Sequence, residues 1–252
     1  MSEWTWEPDD FAALWTSDAD DRFPFPLGYL SRFRTNGEVA AHRRSVRRHY
    51  DADETELIQL ALHTLAAADL LIEIIGVSTV LGDGEQQEYR MVGGRTAYHA
   101  VLLSQTVAAG VEGTIRCRLF RPDLLPMRTA RLLPAFPAGG GKPDTFHIDD
   151  LRPEVLANPA RNEAAERFRR RFDRPAAGGG SVMLRTGAQH GPTAPRYAAQ
   201  WLDLVGDGRY LQQRTREHAS IRPATPEEIT ALLTSWIERT LERLRAAAYE
   251  NR

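Results

Sequence analysis

The residues of this chain that could do chemistry include a short cluster of one histidine and two acids. His147 is followed by Asp149 and Asp150, and imidazole beside carboxylates serves acid–base catalysis and metal binding. The cluster lies in a proline-flanked segment, and none of the seven histidines belongs to a His-Glu-x-x-His motif or a similar two-ligand pair. We predict a surface cluster without a catalytic role, and a hydrolase or metal enzyme centred on it stays open as one alternative.

The sequence Gly139-Gly140-Gly141-Lys142 invites comparison with the phosphate-binding loop of nucleotide-binding proteins. Phe136 stands where that motif needs glycine, and Pro143 stands where it needs serine or threonine. A flexible linker is therefore the better interpretation. Ser181 lacks the Gly-x-Ser-x-Gly pattern and the preceding apolar strand of a hydrolase nucleophile. The sequence thus predicts a protein that is not an enzyme, with no catalytic residue, no cofactor and no metal site.

Two basic helical segments, residues 37–50 and 161–174, could bind phosphate groups. In the second segment four arginines fall near one helix face, but Glu163 and Glu166 interleave with them. The four are Arg167, Arg170, Arg171 and Arg174. We favour solvated helix faces, and a nucleic-acid-associated protein that uses these two segments stays open as a second alternative.

The composition narrows the class of protein. The chain has 252 residues with 32 Lys and Arg against 34 Asp and Glu, a formal charge of −2 that argues against a strongly basic nucleic-acid or membrane binder. Its single cysteine, Cys117, excludes an intrachain disulfide framework. No apolar stretch approaches the ~20 residues that span a bilayer, and the acidic start does not read as a secretory signal. We expect a cytoplasmic protein.

The first half of the sequence predicts helices followed by a run of strands. Apolar residues at spacings of three and four predict a core helix over residues 53–65. After Asp69 the period changes to that of strands, and Gly82-Asp83-Gly84 predicts a hairpin turn. The segments involved are a short helix at 11–15, an edge strand around 29–33, strands at 70–80, 87–91, 96–107 and 114–120, and a helix at 124–133.

The second half is predicted to repeat this plan. Strands at 181–187, 197–205, 209–216 and 219–222 follow a helix that a triple glycine closes, and a capped helix begins near Pro226. Residues 135–160 are rich in glycine and proline and are predicted to be a loosely packed seam. We predict one α+β domain over residues 1–252, with two similar halves at about 1–134 and 161–252.

Several blocks of the sequence, in order and spacing, resemble the EspG family. The most specific block is Trp201-Leu202-Asp203 followed by Gly208-Arg209-Tyr210-Leu211, ahead of a last helix that begins at Pro223-Ala224-Thr225. The N-terminal Phe11-x-x-Leu14-Trp15 and Pro24-x-Pro26-Leu27 agree with it. EspG proteins are secretion-associated proteins of the actinobacterial type VII (ESX) systems, and the resemblance covers nearly the whole chain.

The resemblance implies a cytosolic chaperone that holds a PE–PPE heterodimer by the apolar tip of its helices. It also implies a central, largely antiparallel sheet flanked by N-terminal and C-terminal helical bundles, with a quasi-twofold relation between the halves. Because the hairpin loop is short here, a WXG-type helical hairpin stays open as the alternative partner, and a homodimer is a further open expectation. The implied partner-binding residues are Leu81, Gly82, Asp83, Gly84, Glu85, Gln86, Tyr98, Ala100, Leu102, Arg239 and Arg243.

Overall fold

A ten-stranded sheet organises the molecule in the computed structural model, which describes residues 2–15, 22–158, 162–187 and 194–250. Every pair of neighbouring strands is antiparallel, in the order β1-β5-β4-β3-β2-β7-β8-β9-β10-β6. The prediction of an α+β protein built on a large antiparallel sheet is therefore confirmed. Within the described residues, no helix is long and apolar enough to cross a membrane.

The elements have the following bounds. The strands are β1 Ser2–Trp6, β2 Leu70–Gly82, β3 Glu85–Arg95, β4 Ala100–Ala108, β5 Val111–Phe120, β6 Asp144–His147, β7 Ala176–Thr186, β8 Tyr197–Leu204, β9 Arg209–Arg214 and β10 His218–Pro223. The helices are α1 Pro8–Trp15, α2 Asn36–Arg47, α3 Ala52–Ala66, α4 Leu125–Leu132, α5 Pro153–Ala157, α6 Glu163–Phe172 and α7 Pro226–Glu250. Short 3-10 helices lie at Pro122–Leu124 and Ile148–Leu151.

Alternating side chains give the sheet two apolar faces. One face, which we call the α4/α7 face, packs against those two helices through a core that includes Ile72, Leu102 and Trp236. The other, the α3/α6 face, has two separate cores: α1 and α3 cover strands β1 to β5, and α5 and α6 cover strands β6 and β8 to β10. The helices on this face therefore stand at its two sides and leave its centre between them.

The turns divide the sheet into two ends. Asp83 and Gly84 form the β2–β3 turn with φ of 50° and 102°, the left-handed conformations that a two-residue hairpin requires. The β4–β5 and β8–β9 turns lie at this same end, which we call the hairpin end, because each strand is antiparallel to its neighbours. The β3–β4 and β9–β10 turns lie at the opposite end.

The predicted edge strand around residues 29–33 is wrong. That segment is irregular, and its polar groups instead surround the buried carboxylate of Asp9. The Tyr29 and Ser31 hydroxyls donate to Asp9 Oδ1 at 3.0 and 2.9 Å, and the Arg32 N–H donates to Oδ2 at 3.2 Å. The true edge strand is β1, which pairs with β5 and buries Trp4 and Trp6 against α1 and α3.

Residues 135–158, the described part of the segment 135–160, are not the loosely packed seam that their glycine and proline content predicts. They contain β6, a 3-10 helix and α5, and they bury Phe146 and Leu151. The glycine run is fixed rather than flexible, since Gly139 lies so close to the Tyr210 ring that a side chain would collide with it. The Gly140 N–H donates to Asp207 Oδ1 at 2.8 Å, and the Gly141 N–H donates to the Tyr210 hydroxyl at 2.8 Å.

Asp207 anchors this segment, so its ionisation should affect stability. The Gly140 N–H, the Tyr210 hydroxyl and the Arg174 guanidinium hold the pKa of Asp207 below its ordinary value. A lowered folded-state pKa means that the stabilisation is present above about pH 4 and disappears as the pH falls through that lowered value. Asp207→Asn should therefore lower the free energy of unfolding by about 1–2 kcal/mol at pH 7.

Urea unfolding of both proteins between pH 7 and pH 2.5 measures this effect. The difference between wild type and Asp207→Asn should shrink below pH 4. Asp83→Asn, at an exposed turn where asparagine also tolerates the left-handed conformation, is the control and should follow wild type throughout. A difference that stays constant with pH would show that Asp207 does not act through its charge.

Candidate partner-binding surface

An open trough of about 720 Å³ lies on the centre of the α3/α6 face. Its floor consists of side chains from β2, β3, β7 and β8 that alternate onto this face. Ile75, Val77 and Leu202 are half-buried and give the floor its apolar character. The polar residues around them are Thr79, Gln86, Glu88, Ser181 and Gln200.

Glycines make the floor of the trough shallow along β7. Residues 178–180 are all glycine, and they pair with Ser78, Val77 and Gly76 of β2 on one side. A side chain at Gly179 would point onto the trough face and would lie 2.7 Å from the Trp201 carbonyl oxygen. Glycine within a strand marks a place where another backbone or a ligand comes close. A partner helix could therefore approach the sheet more closely here than over ordinary strand residues.

The charged residues near the trough are paired with one another. Glu88 accepts from Arg90 at 3.0 Å at the rim beside β3. Towards the opposite end of the sheet, Glu73 is buried and accepts a hydrogen bond from Arg185. Burial raises the pKa of Glu73, and the Arg185 guanidinium opposes that rise. The trough thus has an apolar floor and a rim of compensated charges.

The predicted loop at Leu81 to Gln86 is the tip of the β2–β3 hairpin, and it borders the trough. Gln86 lines the trough directly. Leu81, which is 40% exposed, turns to the other face and overhangs a second groove of about 280 Å³ on the sheet beyond the end of α4. Gly82 is partly exposed, and Asp83, Gly84 and Glu85 are exposed at the turn. The hairpin therefore separates two open sheet surfaces.

The structure does not bring the other predicted sheet residues to this place. Tyr98 is 81% exposed, but it lies in the β3–β4 turn at the opposite end of the sheet. The eleven residues of β3 separate it from the hairpin tip by roughly 35 Å at strand spacing. Ala100 and Leu102 are 0% and 1% exposed beneath α4 and α7. Their side chains are part of the core and form no exposed surface.

The predicted residues of the last helix are also remote from the trough. α7 packs on the α4/α7 face and runs from the hairpin end towards the opposite end. There Arg239 lies over the ring of Tyr197, 5.2 Å from its centroid, and its Nε donates to the Ser235 carbonyl at 3.1 Å. Arg243 is exposed one turn further on. These two arginines belong to a different surface from the hairpin.

The His147 cluster forms a helix cap rather than an acid–base site. The Asp149 N–H donates to His147 Nδ1 at 3.3 Å, and Arg152 donates to the Asp149 carboxylate. The side chains of His147 and Asp149 are about half exposed. Over the described ranges, no group of three or more His, Cys, Asp or Glu residues could hold a metal ion. The two basic helices lie apart, since α2 packs on α1 and α6 packs with α5.

Comparison with known families and structures bears on this architecture. The family model described as the EspG family matches residues 7–235. The chain belongs to the EspG family. No curated protein sequence matches this EspG-family chain.

A solved structure supports the same fold for this EspG-family protein. It is the Mycobacterium tuberculosis type VII secretion system chaperone EspG5 in complex with the PE25-PPE41 dimer. The likeness has a TM-score of 0.53 at 14% sequence identity and covers 91% of this chain and 94% of that chain. At this identity, the match is one of fold.

Sequence reasoning missed the floor of the trough in this EspG-family protein. The sequence pattern predicts that the triple glycine at 178–180 closes the preceding helix, whereas β7 begins at Ala176 and runs through these glycines. The available signal was the position of the glycines directly before Ser181 to Thr186, a run with strand character. The surrounding strands β2 and β8 impose the extended conformation on these residues.

Proposed function

We propose that this chain is a cytosolic chaperone of type VII secretion that binds the apolar tip of a helical-hairpin substrate in the central trough. The observation that carries the proposal is the open, apolar, glycine-lined floor at the centre of the α3/α6 face. The solved EspG5 structure contains a PE25-PPE41 dimer, which supports a PE–PPE or WXG-type hairpin as the partner here. An apolar helix tip left bare in the cytosol would self-associate, and a trough of this kind would cover it reversibly.

The proposed contact surface combines the trough with the hairpin tip. It comprises the floor residues of β2, β7 and β8 together with Leu81 to Gln86. Ala100 and Leu102 are left out because they are buried. Tyr98, Arg239 and Arg243 are left out because they lie at the opposite end of the sheet. The action proposed is binding alone, without a catalytic step.

We also propose that the two halves are related by a quasi-twofold axis through the β2–β7 pair, with helical bundles at the two sides. In support, β1 to α4 and β6 to α7 each comprise one edge strand, then helices, then a four-strand meander, then a helix that packs on the α4/α7 face. The second unit thus begins at Asp144, ahead of the predicted half at 161–252. The central pairing of β2 with β7 is antiparallel, as such an axis requires. Under this proposal, the trough lies on the axis between the two halves.

Val77→Glu should abolish partner binding. Val77 is half-buried in the centre of the floor, and a carboxylate there would have to be desolvated against an apolar helix tip. We expect at least a 100-fold loss of affinity, about 2.8 kcal/mol at 1.4 kcal/mol per factor of ten. Co-expression with PE–PPE and WXG-type pairs, followed by size-exclusion chromatography with mass measurement, tests the proposal and also reports whether the chain alone is a dimer.

Val111→Glu is the matched control. Val111 is 70% exposed at the start of β5 and points to the α4/α7 face, so this variant should bind like wild type. Circular dichroism should show that both variants are folded. The proposal fails if no PE–PPE or WXG-type pair co-migrates with the wild-type chain, or if a folded Val77→Glu protein retains full binding.

A further inference from the structure

An arginine-rich pocket of about 310 Å³ opens beside α6 at the hairpin end of the sheet. The guanidinium groups come from the C-terminal half of α6 and the residues just after it. They face the β8–β9 turn and the fixed glycine run. The lining residues are Gly141, Asp144, Arg167, Arg170, Arg171, Arg174, Asp207 and Tyr210.

Three of these arginines are already compensated by carboxylates. Arg167 lies 3.7 Å from Asp144 and 3.6 Å from Glu163, Arg170 lies 3.1 Å from Glu166, and Arg174 lies 2.8 Å from Asp207. Arg171 makes no ion pair with any carboxylate in the part of the chain that the structure describes. The pocket therefore carries one uncompensated positive charge, and that charge belongs to a half-buried side chain.

The Arg171 guanidinium is held in place by neutral groups. Its Nη1 donates to the Lys142 carbonyl oxygen at 3.1 Å, and its plane lies over the ring of Tyr210, 5.7 Å from the centroid. Gly141 borders the same place, where a side-chain carbon would lie 2.7 Å from the Tyr210 hydroxyl oxygen. A guanidinium that is fixed before binding loses little entropy when it grips a carboxylate with two parallel hydrogen bonds. The position of Arg171 thus suits it to bind an anion.

We propose that this pocket binds carboxylate groups of an acidic segment of the protein partner, with Arg171 as the central contact. The identity of that partner rests on the proposed function. The pocket lies close enough to the trough for one partner to reach both. Phe168 and Phe172 of α6 pack against the same buried cluster as Leu202, and Leu202 lines the trough. The trough holds the apolar tip, and the pocket fixes the orientation of the polar segment beside it.

The charges around the pocket favour an acidic peptide over nucleic acid. Duplex DNA carries one phosphate charge per ≈ 1.7 Å of axis, so its backbone would run past the acids that interleave with the arginines. Those acids are Asp144, Glu163, Glu166, Asp173 and Asp207. A peptide can place one or two carboxylates at Arg171 and avoid these acids. The pocket volume of about 310 Å³ also suits a few side chains rather than a duplex.

Binding of a fluorescein-labelled hexaglutamate peptide to the full chain tests the proposal. Fluorescence anisotropy at 50 mM NaCl should show saturable binding to wild type and at least fivefold weaker binding to Arg171→Gln. Arg171→Lys keeps the charge but loses the planar fork, so its affinity should fall between the two. Arg44→Gln, which removes an exposed arginine of α2, is the matched control and should bind like wild type.

Two outcomes would overturn the assignment. The first is that the hexaglutamate peptide shows no saturable binding to wild type, or binds wild type and Arg171→Gln equally well. The other is tighter binding of a 12-base-pair DNA duplex than of the peptide, with equal losses in Arg171→Gln and Arg44→Gln. Because the peptide assay needs no secretion substrate, its result is independent of the co-expression experiment. Failure of the pocket and failure of the chaperone proposal are therefore distinguishable.

Discussion

Asp203→Ala is expected to lower the free energy of unfolding by about 3–5 kcal/mol. Asp203 and Arg209 form a bidentate pair, with Nε to Oδ1 at 2.6 Å and Nη2 to Oδ2 at 2.7 Å. Their side chains are 1% and 2% exposed. Removing the carboxylate leaves the guanidinium buried without a counter-charge. A buried, unpaired charge is among the causes of the largest losses of unfolding free energy that single substitutions produce.

The Arg209 side chain also joins distant parts of the chain. Its Nη2 donates to the Pro134 carbonyl at 2.9 Å, while its backbone N–H donates to the Pro137 carbonyl at 2.7 Å. The pair therefore fixes the segment that follows α4 onto the β8–β9 turn. We expect Asp203→Ala to loosen this segment together with the end of the sheet that it covers.

Guanidinium chloride unfolding and a double-substitution cycle measure the effect. Asp203→Ala with Arg209→Met should be more stable than Asp203→Ala alone, because no unpaired charge then remains. Asp123→Ala is the control, since Asp123 pairs with Arg121 at 2.7 Å on the surface, and it should cause no measurable change. Equal stability of Asp203→Ala and wild type would show that this buried pair does not support the fold.

The pair also explains why the most specific sequence block is informative about the fold. Trp201 packs over Gly180, Asp203 binds Arg209, and Tyr210 covers Gly139. Every one of these contacts is structural. The contacts of this block therefore stabilise the fold, and Leu202 within it also lines the trough.

Strand patterns with one buried face could be predicted from the sequence because side-chain alternation encodes them locally. The inward positions of β5 are Ile115, Cys117 and Leu119, and all three are buried as the period-two pattern predicts. The hairpin turn at Asp83 and Gly84 followed from residues that accept positive φ. These features depend on neighbours in sequence, so a single chain is sufficient to predict them.

Features that depend on distant strands could not be predicted in the same way. Ala100 and Leu102 lie on the face that α4 and α7 cover, and no local pattern indicates which face a later helix will occupy. The packing of α7 likewise places Arg239 over Tyr197, far from the hairpin tip, and the sequence of the helix does not indicate that position. The triple glycine lacks side chains, so it has no periodicity from which a strand could be predicted.

Gly180→Ala should lower the free energy of unfolding by about 3 kcal/mol, in the upper part of the range for overpacking. A Cβ at this position would lie 2.6 Å from Trp201 Cζ2, 2.8 Å from the Ile75 carbonyl oxygen and 3.0 Å from Gly76 Cα. The last two atoms belong to the backbone of β2, which is a central strand. A rotamer change of Trp201 therefore cannot relieve the whole conflict, and the β2–β7 pair itself must separate.

The substitution Trp201→Leu separates the two contributions to this destabilisation. In a Trp201→Leu background the ring contact is absent, so Gly180→Ala should cost less than in wild type, and the remaining cost reports the backbone contacts. Gly37→Ala is the control: its Cβ would meet only Thr35 Oγ1, at 4.0 Å, and we expect a stabilisation of about 0.4–1 kcal/mol. Urea unfolding at pH 7 gives the free energy of unfolding of wild type and of four variants: Gly180→Ala, Trp201→Leu, the double variant and Gly37→Ala. Residues 178–180 form part of the floor of the trough. If the Gly180→Ala protein unfolds at the same urea concentration as wild type, β2 and β7 are packed less tightly than this structure shows.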